Sequence, residues 1–220
     1  EQMFFIVFAI LSCYLIALAI WMHVWIMLWP ALSFALVAIA YAGVGPSLLG
    51  KQINGRFAWW ALILLFPYLL LIWLLWHLTR LLNREGCCNQ VASGIWIGRR
   101  AAVSEIPSDV NAIVDLTSEL YEPRGVTQIG RYFCLPTLDG MPPDEKRFRE
   151  LIEELKDWQG TIYIHCAVGH GRSAMLTVAL LMIRGLASNP SAAMKIVKAA
   201  RQRARLKKAQ RHFLKQCEIS

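Results

Sequence analysis

The chain has 220 residues and a formal net charge of +8 at pH 7, length enough for one globular domain and something besides. Its 56% hydrophobic content and mean hydropathy of +0.42 exclude an ordinary soluble chain. Six cysteines, at 13, 87, 88, 134, 166 and 217, fall into no spacing that would ligate zinc, and no metal or cofactor is expected.

The apolar excess sits at the front. No Asp, Glu, Lys or Arg occurs from 3 to 50, nor from 57 to 79. A membrane span needs about 20 apolar residues, so the first run holds two, roughly 3–21 and 31–49, and the second holds one, about 57–78. Pro67 is expected to kink the third, which a membrane tolerates. Core helices of a soluble protein are excluded because no other segment is large enough to cover them. A signal peptide is excluded because its apolar stretch is far shorter. Tryptophans at 21, 25, 29, 59, 60, 73 and 76 fall mostly near the span ends, as interfacial anchors do. Glu1 stands where a methionine would open a complete chain, as in a trimmed chain or a fragment. Residues 1–82 therefore read as a transmembrane region of about three helices.

Orientation is a tie on loop charge. Arg80 and Arg84 flank the last span, and Lys51 and Arg56 lie between the second and third. A cysteine that must stay a free thiol needs a reducing compartment, and with the basic C-terminal segment this is expected to place the part after the spans inside the cell. Residues 83–93 read as a linker, with Cys87-Cys88 as a weak S-acylation candidate. Strands follow at 94–98, 111–116 and 131–135, then a helix at 143–158 opened by Pro143 with Asp144 and Glu145 in its first turn. Ser188-Asn189-Pro190 caps a further helix, and a last one covers 208–217.

The stretch that organises the rest is Ile162-Tyr163-Ile164-His165-Cys166-Ala167-Val168-Gly169-His170-Gly171-Arg172-Ser173. It opens as a buried strand, turns through two glycines and continues as an apolar helix. Such a turn aims backbone N–H groups and the positive end of a helix dipole at one point, a seat for a phosphate. Cys166 starts the loop, where the same field favours its thiolate. Arg172 closes it with a planar fork able to hold two phosphate oxygens.

His-Cys, five residues, then Arg-Ser resembles the active-site signature of the cysteine-dependent protein tyrosine phosphatases, and the short domain is most similar to their dual-specificity branch. The resemblance covers roughly 94–220. It implies an α/β domain with a mainly parallel central sheet flanked by helices, placed after the transmembrane region and the linker. Phosphate monoester hydrolysis of this type needs a nucleophile, a phosphate clamp, a proton donor and a water. Cys166 is expected to attack phosphorus and form a phosphocysteine. The N–H groups of Ala167, Val168, Gly169, His170 and Gly171, with Arg172, are expected to bind the phosphate. Ser173 is placed to ease departure of the sulfur, and His165 to order the loop. In the dual-specificity branch a proline- and glycine-rich loop carries the general acid, and Asp139 in Leu135-Pro136-Thr137-Leu138-Asp139-Gly140-Met141-Pro142-Pro143 matches that position. Asp115 and Glu119 follow an earlier strand and read as structural.

Two substrate classes compete. The resemblance implies a phosphorylated protein. The membrane region and the segment 195–215, with nine basic residues and no acid, favour a phospholipid headgroup and contact with anionic lipid. The loop lacks the lysine or arginine that lipid-directed relatives often carry within it. Nucleic acid is not expected as a partner. An inactive phosphate-binding membrane adaptor is the alternative of another class, and intact Cys166, Arg172, Ser173 and Asp139 weigh against it.

Overall fold

A computed structural model describes residues 2–83 and 85–217, so Arg84 lies outside the described residues. The chain divides into two compact units. The first comprises residues 1–52, 56–84 and 118–121, and the second 53–55, 85–117 and 122–220.

In the first unit α1 (Gln2–Met22) and α2 (Leu28–Ile39, continued by a π-turn over Ala40–Val44) pack side by side. Phe8 stacks on Phe34 and meets Tyr68 edge-on, and Ser12 Oγ donates to the Ala31 carbonyl at 2.8 Å. Two segments, Met3–Met22 and Trp25–Val44, are long and apolar enough to cross a membrane. The expected third span is interrupted: α3 (Trp59–Leu64) and α4 (Phe66–Leu82) are separated at Leu65. The cause is Pro67. It has no N–H to give the Ile63 carbonyl four residues back, and that carbonyl instead accepts from Trp29 Nε1 at 2.9 Å. The next N–H, of Tyr68, donates to Ser33 Oγ at 3.3 Å. What remains of the third segment is a 17-residue apolar helix.

Side chains of this unit leave much apolar surface uncovered, with Ile10 63%, Trp59 76% and Leu81 83% exposed. Large contiguous apolar patches are rare on water-facing surfaces.

The second unit is built on a five-stranded sheet in the order β1-β2-β5-β3-β4, where β1 is Cys88–Ala92, β2 Ile95–Arg99, β3 Val110–Thr117, β4 Arg131–Thr137 and β5 Thr161–Cys166. All neighbours run parallel except β1 and β2, which form a hairpin. The linker expected at 83–93 is thus corrected: residues 88–92 are the antiparallel edge strand, whose side chains are half-buried or exposed and so lack the apolar alternation that marks a strand in sequence.

Alternation does mark the inner strands. Ile162 and Ile164 of β5 enter one core with Ala112, Val114 and Leu116 of β3, while Tyr163 and Ile113 enter the other. The first core is covered by α5 (Glu145–Lys156), α6 (Arg172–Ile183), α7 (Pro190–Ala200) and α8 (Lys208–Gln216). The second lies under Ala101, Ile106 and Val126. Asn189 caps α7 as expected, accepting from the Ala192 N–H, whereas α5 starts at Glu145 rather than at Pro143, and Asp144 is its N-cap, accepting from the Arg147 N–H, instead of a first-turn residue. The fold is the expected α/β arrangement, with β5 at the centre of the sheet and α6 buried from Arg172 to Leu181.

Candidate active site

Cys166 is the last residue of β5 and Arg172 the first of α6, so the loop 167–171 lies at the carboxyl edge of the parallel strands, where open α/β sheets place ligands. The loop is held from outside through its carbonyls. Ala167 O accepts from the Arg100 N–H at 3.4 Å, Val168 O from Arg201 Nη2 at 3.0 Å and His170 O from the Arg205 N–H at 2.9 Å. A trans peptide sets each carbonyl opposite the following N–H. Outward carbonyls at 167, 168 and 170 therefore turn the N–H groups of Val168, Gly169 and Gly171 inward, and Gly169 N–H donates to Cys166 Sγ at 3.3 Å.

Gly169 is required twice over. Its φ is +79°, and a Cβ there would fall 2.4 Å from the Gly98 carbonyl carbon at the end of β2. Cys166 is 2% exposed, and Ser173 Oγ lies 3.5 Å from its sulfur. The Gly169 N–H donates to this sulfur and the Ser173 hydroxyl is able to.

Arg172 is buried, with Nη1 donating to the carbonyls of Thr137 at 2.8 Å and Leu116 at 3.4 Å, which fixes the plane of the guanidinium against the ends of β4 and β3. Asp139 follows β4 in a turn closed by the Met141 N–H to Leu138 O bond. Its carboxylate is half exposed, 3.6 Å from Arg172 Nε and 3.8 Å from Lys207 Nζ. Gly140 makes room for that lysine, since a Cβ there would meet Nζ at 2.7 Å. Cys166, Arg172, Ser173 and Asp139, four positions singled out in the sequence, thus converge on one loop.

His165 and His170 take separate places. His165 is wholly buried, its ring stacked on Tyr163 at 5.5 Å, with Nε2 3.8 Å from Glu122 Oε2. Arg100 Nε lies 3.7 Å from the same carboxylate oxygen. His165, Glu122 and Asp115 bring ligand atoms within 4.8 Å of one another, a donor set some metals accept. Of the three, Asp115 is served by protein groups: it accepts from the Thr117 N–H and hydroxyl and from Tyr132 OH. Burial, reinforced by the Asp115 charge, pushes the Tyr132 phenol up and keeps it a neutral donor. Asp115 is thus structural, and so is Glu119, which accepts from its neighbour Ser118.

The His170 ring is paired elsewhere, with Nε2 2.5 Å from Glu85 Oε2. Glu85 in turn lies 3.3 Å from Arg201 Nη2. Glu85 and Arg100 were not singled out in the sequence, and Arg201 and Arg205 were read only as members of the basic segment 195–215. No motif marks them, because their contacts with the loop join positions far apart in sequence: Glu85 lies 85 residues from His170 and Arg201 lies 33 from Val168.

Comparison with known proteins agrees with this geometry. The family described as dual specificity phosphatase, catalytic domain, matches residues 108–220, over half of the chain. Among solved structures, a mouse putative dual specificity phosphatase complexed with zinc tungstate superposes with a TM-score of 0.54 at 20% identity, covering 62% of this chain and 89% of that one. Tk-PTP in its active form gives 0.54 at 24% identity, covering 60% and 96%. PTPMT1 in complex with PI(5)P gives 0.50 at 17% identity, covering 60% and 96%. At these identities the likeness bears on the fold. No curated protein matches the chain in sequence. With a strand, a cysteine-headed loop and a buried arginine disposed as above, and with the family matched across the greater part of its second unit, this chain belongs to the dual specificity phosphatases and is a cysteine-based phosphoric monoester hydrolase.

Proposed function

We propose that the chain is a membrane-anchored phosphatase in which Cys166 is the nucleophile, Arg172 the phosphate clamp and Asp139 the general acid. The observation that carries this reading is the Gly169 N–H on Cys166 Sγ, at 3.3 Å, inside a loop whose carbonyls are drawn outward. In the first step the sulfur attacks phosphorus and the bond from phosphorus to the leaving oxygen breaks. Asp139 gives that oxygen its proton, and the phosphoryl group rests on sulfur. Inward N–H groups and the Arg172 guanidinium stabilise the three equatorial oxygens as charge shifts among them. In the second step water attacks phosphorus, Asp139 accepts its proton, and Ser173 donates to the departing sulfur. His165 orders the loop from beneath, through Tyr163 and Glu122.

The domain division 1–82, 83–93 and 94–220 is retained in this reading, with the amendment that 88–92 belongs to the catalytic sheet. Anchoring rests on the two segments able to cross a membrane and on the exposed apolar surface around them. A cytoplasmic catalytic domain remains the placement that suits a thiolate. Phosphorylated protein is the substrate class favoured by the family. A phospholipid headgroup is the second reading, supported by the apolar helices and by Lys207, which brings a cation to the acid loop.

Hydrolysis of p-nitrophenyl phosphate by the purified full chain in detergent tests the chemistry. Cys166→Ser is expected to abolish it, and vanadate to inhibit the wild type. Retention of the rate in that variant would exclude the mechanism. Turnover of phosphopeptides against phosphatidylglycerophosphate and phosphoinositides in mixed micelles decides between the substrate classes.

A further inference from the structure

Between α7 and α8 lies a cavity of about 330 Å³ that none of the chemistry above uses. Its floor is apolar, formed by Met194 of α7, Leu206 of the connector and Leu214 of α8. Its rim carries four cations, Lys198, Arg205, Arg211 and Lys215, and no acid lines it. Helical spacing explains the arrangement. Met194 and Lys198 are four residues apart on α7, while Arg211, Leu214 and Lys215 recur at three and four on α8, so each helix turns one mixed face to the cavity. Segment 195–215 holds nine basic residues, and they are not interchangeable. Arg201 is buried against Glu85, and Lys207 is engaged by Asp139. The four on the rim are exposed and share a cavity with an oily floor.

We propose that this cavity is a binding site for one anionic phospholipid, acyl chain on the Met194, Leu206 and Leu214 floor and headgroup phosphate among the four cations. A solvated basic face explains the cations but not an apolar recess beneath them. A free anion would use the cations and leave the floor wet. An anionic amphiphile satisfies both, and charge complementarity selects it over a zwitterionic lipid. The site is distinct from the catalytic cradle, though Arg205 links them: its side chain lines the cavity while its N–H holds His170 O at 2.9 Å. The inference does not depend on the reading of Cys166.

The test is equilibrium binding of dioctanoyl-phosphatidylglycerol, a diester that offers the cradle no monoester, to the full chain in dodecyl maltoside. Vanadate is included to fill the cradle. Saturable binding is expected, with dioctanoyl-phosphatidylcholine at least about tenfold weaker. Lys198→Glu combined with Lys215→Glu should weaken the anionic lipid by at least about tenfold, and Lys198→Arg with Lys215→Arg should restore it. Equal binding of the two lipids, or indifference to the charge reversal, would overturn the proposal. Displacement by glycerophosphoglycerol as effective as by the lipid would reduce the site to an anion patch and overturn it too. So would displacement by an acidic peptide at comparable concentration, in favour of a protein partner. Cys166→Ser should bind the lipid as the wild type does. A failed phosphatase assay with intact binding would then indict the mechanism and spare the site.

Discussion

Glu85 Oε2 and His170 Nε2 stand 2.5 Å apart, joining the chain between α4 and β1 to the phosphate loop. Arg201 completes the clamp, with Nη2 3.3 Å from Glu85 and 3.0 Å from the Val168 carbonyl. Two successive parts of the loop are thus positioned by one carboxylate. Glu85→Gln keeps the shape and removes the charge. It is expected to raise KM for aryl phosphate severalfold with kcat little changed, because the loop opens without losing Cys166 or Asp139. Glu85→Ala also takes the carboxylate from a guanidinium that is 1% exposed and keeps its bonds to Val168 O, Gly86 O and Asn89 Oδ1, and is expected to cost about 1–3 kcal/mol in unfolding free energy. A loss of stability with no movement of KM in either variant would make Glu85 a structural residue only.

Asp139 stands between Arg172 at 3.6 Å and Lys207 at 3.8 Å, half exposed at the edge of the cradle. A proton donor matters most when the leaving oxygen is strongly basic. Asp139→Asn is therefore expected to lower kcat for an alkyl phosphate by about a hundredfold or more. For p-nitrophenyl phosphate, whose leaving group departs without help, the loss should be much smaller. Equal losses on the two substrates, measured side by side, would remove Asp139 from the proton transfer.

The sheet and the cradle were legible in the sequence because their signals are local. Tyr163 and Ile164 alternate between two cores, and Cys166 to Arg172 is a single turn of chain whose length sets its geometry. The broken third apolar segment was half legible: Pro67 announced a disruption, but not that Trp29, 34 residues away, would satisfy the Ile63 carbonyl. Edge strand β1 was missed because an edge needs only one partner and little burial, so Asn89 and Gln90 leave no apolar pattern. The outer clamp was missed for a related reason. Arg201 lies 33 residues from Val168 and 112 from Asn89, and nothing in a run of basic residues tells the buried one from the exposed.

Gly169 bears the closest approach in the loop. A methyl group at this position meets the Gly98 carbonyl carbon at 2.4 Å and Arg99 N at 2.8 Å, backbone atoms of β2 that cannot rotate away. The left-handed φ of +79° adds strain of its own. Gly169→Ala is expected to displace the N–H now on Cys166 Sγ and to abolish turnover while the domain still folds, with a stability loss of about 1–3 kcal/mol. Gly171→Ala is the control, since its added Cβ meets nothing nearer than 3.6 Å. Comparable activity in the two variants would refute the steric account of the loop.

Cys87 is the second cysteine with a distinctive environment. Hydrogen bonding with Cys88 and the nearby Arg99 guanidinium stabilise its thiolate against the opposing effect of burial, and its pKa falls to about 7. Cys88 is pushed the other way, chiefly by the same hydrogen bond and then by burial, and stays a thiol. A lowered thiol pKa means the reactive anion is present above that pH and is lost as pH falls through it. Alkylation of Cys87 by iodoacetamide, followed by mass spectrometry of the peptide, should therefore reach half its limiting rate near pH 7 and fall to about a tenth of the limiting rate at pH 6. Cys88 should remain unmodified over the same range. Arg99→Gln removes the cation and should move the Cys87 midpoint upward. A midpoint near the ordinary thiol value of about 8.5 in the wild type, or one that ignores the loss of Arg99, would show that the neighbouring thiol and guanidinium do not act on this sulfur.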